Sequence, residues 1–133
     1  MSYENALAAT YSLGQHDFGA GAATYKVKPP PGFSSGRVRD IHVLVSETFT
    51  QTTTPAYIRV GDGTDDDKYA ELNMGAAASG DSYNADDVAG SLKNKGIFNL
   101  SSDGITELTV KFVAPTGGTP AGIGEVSLLV EWF

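Results

Sequence analysis

Few side chains in this chain of 133 residues could do chemistry, and they are scattered. The only histidines are His16 and His42. A catalytic base needs a nucleophile within reach and a third group to orient it. His42 sits between Ile41 and Val43 on an alternating stretch, and nothing in the sequence pairs it with a particular serine. His16 lies beside Asp17 in a Gly-bounded segment, with too few neighbouring ligands for a metal. Both histidines are expected to be structural. The chain has no cysteine, which excludes disulfides, thiolate catalysis and Cys-based zinc or iron–sulfur sites.

The acidic run from Asp62 to Asp67 (DGTDDD) is the one cluster rich in ligands. Clustered carboxylates suit a hard cation such as calcium, which makes Asp62, Asp65 and Asp67 weak candidate ligands. The run is not an EF-hand. Counted from Asp62 or Asp65, it lacks the glycine at the sixth position and the glutamate at the twelfth. A solvated acidic loop is the default, and no metal or cofactor is assigned. The glycines fall in GAGA, GDG and GG, without the strand–turn–helix setting of a phosphate loop. A carboxylate pair for glycoside hydrolysis is defined by separation in space, and no local motif marks one. Phe33, Phe49, Tyr57, Tyr69 and Tyr83 fall near strand ends or loops. Partial burial is the simpler expectation for them, and sugar-stacking platforms the sharper one.

The formal net charge is −7. Eight carboxylates between Asp62 and Asp87 stand against Lys68 alone, so this segment carries the whole imbalance. Nucleic-acid binding needs a basic footprint to displace phosphate counterions, and nine dispersed bases do not make one. No apolar run approaches the roughly 18 residues of a membrane span. The start MSYENALAAT lacks a basic region followed by a long apolar run, so no secretory leader is expected. The length suits one domain, which buries roughly two-thirds of its unfolded surface.

The elements that must position these groups are strands. Ala23 to Lys28 is a short one, stopped by Pro29-Pro30-Pro31-Gly32. From Val38 to Ser46, Ile41, Val43 and Val45 share one face and Asp40, His42 and Ser46 the other. Further strands are expected at Ala56 to Val60, Lys68 to Asn73 and Ile97 to Leu100. The clearest are Thr106 to Val113, with Leu108, Val110 and Phe112 aligned, and Gly124 to Phe133, with Val126, Leu128, Val130 and Trp132 aligned. The last is expected to be central, because its side chains are core-grade. Gly75 to Gly96 is soft, with small residues and weak periodicity.

Residues 1–22 differ in composition and form a first segment, ahead of a single sandwich domain at 23–133. Tyr3, Leu7 and Tyr11 recur at spacing four, which permits a helical turn or two. Tyr3, Leu7, Tyr11 and Phe18 are apolar for a free tail. They mark an arm that contacts a partner, with packing on its own domain or a frayed terminus as alternatives. Seven or eight short strands without a long amphipathic helix argue for an all-β, antiparallel β-sandwich, either jelly-roll or immunoglobulin-like, with a short N-terminal arm.

The stretch GRVRDIHVLVSETFT, followed by TPAYIRVGDGTDDDKYAELNMG and the final strand, resembles the small cement or decoration proteins of tailed-bacteriophage capsids. The resemblance implies a jelly-roll sandwich with no catalytic residues. It implies a dimer or trimer that binds the capsid exterior, bridges neighbouring major capsid protein subunits, and is made in the host cytoplasm. A carbohydrate-binding module of a phage fibre or extracellular protein is the alternative, and a sandwich-mounted hydrolase a weaker third.

Overall fold

The computed structural model describes residues 7–93, 97–99 and 108–133. These residues form nine strands: β1 (Leu7–Asp17), β2 (Ala23–Val27), β3 (Ser35–Thr50), β4 (Tyr57–Gly61), β5 (Ala70–Asn73), β6 (Ser82–Asn84), β7 (Ile97–Asn99), β8 (Leu108–Val113) and β9 (Ala121–Trp132). Two short 3-10 turns, Phe18–Ala20 and Ala85–Asp87, lie between the strands. No helix among them is long and apolar enough to cross a membrane.

The strands make two antiparallel sheets. One runs β1-β9-β3-β6, with β7 also on β3; the other runs β2-β8-β4-β5. The pairing is nested: β1 with β9, β2 with β8, β3 with β6 and β7, β4 with β5. Nested pairing across two facing sheets is the jelly roll, so the expected all-β sandwich is what forms. As expected, β9 is central, flanked by β1 and β3.

Period-2 alternation builds the core. Ile41, Val43 and Val45 from β3 and Val126, Leu128, Val130 and Trp132 from β9 face Ile58, Val60, Leu108, Val110 and Phe112 of the other sheet. All of these are buried. One end of the core is a ring cluster in which Phe18 lies 5.2 Å from Phe49 and 5.1 Å from Phe112. Phe98 packs edge-on against Trp132 at 5.3 Å at the other.

Of the alternatives for the first segment, packing on its own domain is what its described part does. Leu7–Asp17 is no helical turn and no detached arm; it is a strand of the sandwich, paired along its length with β9. Residues 1–6 lie outside the described residues. The apolar spacing of four hid a period of two. Ala9, Tyr11 and Leu13 face inward until a bulge at Gly14, with φ +80°, takes up one residue and resets the phase. After it, His16 and the fully buried Phe18 point inward. A boundary at residue 22 therefore cuts through the domain rather than between two units.

The soft stretch after Gly75 is also structured. It supplies β6, and Ala77 and Ala85 are buried. Its backbone closes the open edge of β3: Gly80 N–H donates to Val45 O at 2.8 Å, and Phe49 N–H to Ala77 O at 2.9 Å.

Candidate functional site

The acidic loop joins β4 to β5. Gly61 is required there because a Cβ would overlap the backbone of Asp65 and Asp66, which fold back over it. Asp62 closes the turn: its Oδ1 accepts from the N–H groups of Thr64 at 3.0 Å and Asp65 at 2.9 Å. Its Oδ2 meets Lys68 Nζ at 3.1 Å. The Asp65 backbone bond chiefly holds the Asp62 carboxyl below its ordinary range.

Each of the other partnered carboxylates meets a base brought by the fold. Asp67 lies 2.8 Å from Lys93 Nζ, which lowers its carboxyl pKa to about 2. Asp66 lies 3.2 Å from Lys111 and 3.9 Å from Arg59, and Arg59 in turn meets Glu71 at 2.8 Å. The Asp65 carboxyl is raised, chiefly by its hydrogen bond with Asp67. Asp65, Asp66 and Asp67 bring carboxylate oxygens within 4.8 Å of one another. Of the three calcium candidates, Asp62 and Asp67 already answer a lysine, so an added cation would compete with Lys68 and Lys93. The run looked unopposed in the sequence because Lys93 and Lys111 come from distant positions, while Arg59 stands just ahead of it on β4.

The histidines behave differently from each other. His16 Nε2–H donates to Gly21 O at 2.8 Å, and its ring packs on Phe18 and Phe112. His42 Nε2 and Ser82 Oγ lie 2.7 Å apart across the β3–β6 pair, a partner the sequence did not suggest. Among the described residues no carboxylate orients His42. The acid two residues away, Asp40, accepts from Ile41 N–H, Asp86 N–H and Asn84 Nδ2 instead. The pair is thus a cross-strand clasp without the third member that would activate a serine.

A wide-mouthed depression of about 420 Å³ opens beside Asp40, lined by Arg37, Arg39, Asp86, Leu92 and Leu129 among others. Its charges are largely spent on each other. Arg37 and Arg39 both address Glu131, at 3.2 and 4.0 Å. Arg37 Nε is left buried without a hydrogen-bond partner. Among the described residues, converging, unspent titratable groups, the mark of an active site, are not found here.

The aromatic candidates are occupied. Phe49 and Tyr69 are buried, and Phe33 and Tyr83 pack against the core. Tyr83 O–H donates to Asn73 O at 2.8 Å, and the Arg59 guanidinium covers the Tyr57 ring at 4.8 Å.

The three partner-contact candidates among the described residues, Leu7, Tyr11 and Phe18, do not share a surface. Tyr3 lies outside the described residues. Phe18 is wholly buried, and Tyr11 is half-buried with its hydroxyl bonded to Trp132. Leu7 is exposed. The other large exposed apolar side chain among the described residues is Leu44, at 49% exposure on the outer face of β3. It went unnoted in the sequence, although its place on the His42 face of an alternating strand marks it.

No protein-family model matches the chain, and no curated protein matches it. Among solved structures it is similar to a chain described as "Cyanophage Pam1 capsid asymmetric unit". The identity is 15% and the TM-score 0.52, over 97% of this chain and 85% of that one. What the two share is the fold. The likeness spans β1 as well as the rest of the sandwich, which agrees with β1 being integral to the domain.

Proposed function

We propose that this protein is a non-enzymatic structural component of a tailed-phage virion. It binds the outside of the capsid and stabilises it by bridging neighbouring major capsid protein subunits. The observation that carries this reading is the whole-length likeness of the jelly roll to a chain of a phage capsid unit. The spent state of the ionisable groups supports it: the acidic loop, the arginine pair and Asp40 all serve the chain's own structure.

A protein that binds only the assembled shell stabilises it by mass action. Many copies acting together turn weak contacts into a strong hold. Neither effect needs a cofactor or a basic patch. An acidic loop turned to solvent would also discourage particles from adhering to one another.

The test is co-sedimentation of the purified protein with capsids that lack it, followed by thermal melting of the loaded shells. Binding that saturates at a fixed number of copies per shell, with a raised melting temperature, is expected. Absence of binding, or binding without added stability, contradicts the reading.

A further inference from the structure

The edges of the two sheets are not treated alike. The free side of β5 is covered: Glu71 N–H donates to Ser91 O at 2.7 Å, and Lys93 N–H to Tyr69 O at 2.9 Å. β3 is covered by β7, β6 and the 77–81 backbone, leaving the three-residue β6 and β7 outermost among the described strands. The β2 edge carries Lys26 and runs into Pro29-Pro30-Pro31, devices that discourage strand addition. The β1 edge has none of these. It is eleven residues long, and from Leu7 to Gln15 it has no charge and no proline. Among the described residues, no strand or loop pairs with its far side.

The flank beside that edge is also incompletely closed. On the β5 side, Ala70, Leu72 and Met74 are fully buried. On the β1–β2 side, the inward-facing Ala9, Tyr11, Leu13 and Tyr25 are only partly buried. A bare strand edge thus runs along a half-covered apolar seam.

We propose that a second copy of this chain docks on this edge, β1 against β1 antiparallel about a two-fold axis at Thr10. An antiparallel edge is self-complementary under such an axis. With that centre Leu7 meets Leu13 and Ala9 meets Tyr11 on the inward side, and the outer pairs are Ala8 with Ser12 and Thr10 with itself. Charge permits this edge as the meeting point of two copies. Two molecules of net charge −7 repel, and β1 lets them meet without placing like charges opposite each other. The continuous sheet would span both copies and cover the seam. This inference stands independently of any capsid, because it concerns the purified chain alone.

The experiment is sedimentation equilibrium of the full chain beside three variants, Thr10→Lys, Ser12→Lys and Ala76→Lys. Thr10 and Ser12 are exposed on the outer side of β1, and Ala76 is exposed in a turn away from it. All three add the same charge. Expected is a dimer whose dissociation constant rises about tenfold or more in Thr10→Lys, where two lysines meet on the axis, less in Ser12→Lys, whose lysine faces Ala8, and not in Ala76→Lys. Hydrogen exchange of the unmodified chain gives a second reading that needs no variant. The amides of Leu7–Leu13 should become protected as concentration rises, and those of β2 should not. A monomer at about 100 μM, a trimer, or a dimer equally indifferent to all three lysines overturns the proposal.

Discussion

Trp132 Nε1–H donates to the Tyr11 hydroxyl at 2.9 Å, joining the buried ring of the central strand β9 to the edge strand β1. Trp132 is wholly buried, so its indole N–H has no water to turn to. Tyr11→Phe should leave it unsatisfied and cost about 1–3 kcal/mol. Chemical denaturation at neutral pH measures this directly; a variant as stable as the parent would show that the bond contributes nothing.

Removal of residues 1–18 should abolish cooperative folding rather than trim an appendage. It deletes β1, the Trp132 partner and the buried Phe18. Loss of one buried phenylalanine alone costs about 3–5 kcal/mol, against a total stability of about 5–15 kcal/mol for a domain. Circular dichroism and a melting curve decide. A sharp transition in the truncated chain would restore the view of this segment as a separable arm.

Gly122 is held by its neighbours. Its φ is +150°, and a Cβ there would overlap the Phe49 ring. Gly122→Ala should destabilise by about 1–3 kcal/mol through overpacking, with backbone strain added. Ala76→Gly, at an exposed turn position, is the contrasting control. Equal melting temperatures for the two variants would contradict the packing described.

Acid should weaken the β4–β5 loop through Asp67. Its folded pKa of about 2 lies below the ordinary 3.8, so the carboxylate form is favoured by folding. That stabilisation is complete above the ordinary value and is lost as pH falls through the folded one. The pair with Lys93 is about one-third exposed, and its contribution should stay under about 1 kcal/mol. The raised carboxyl of Asp65 works in the opposite sense. Lys93→Met should therefore lower stability slightly at neutral pH and flatten its fall toward about pH 2. An unchanged acid limb in thermal scans would remove Lys93 from the account.

Regular alternation made the sandwich legible in advance. The runs containing Ile41-Val43-Val45, Leu108-Val110-Phe112 and Val126-Leu128-Val130-Trp132 each declare an inward face, and each is a strand. β1 escaped because one bulge at Gly14 shifts the phase halfway along, so no single period fits Leu7–Asp17. β6 escaped because three residues, Ser82–Asn84, are too few to show a period. The site was harder still. The acidic run was visible, but Lys111 on β8 and Lys93 in the segment after β6 reach it only through folding. The His42–Ser82 contact, forty residues apart, likewise depends on strand register alone.

The central claim is the place of the protein on a phage shell, and a cryo-EM map of the parent particle tests it most directly. The account predicts jelly-roll density on the outer surface, each copy touching at least two major capsid protein subunits. Density for this chain inside the shell or in the tail, or none anywhere on the particle, would contradict it.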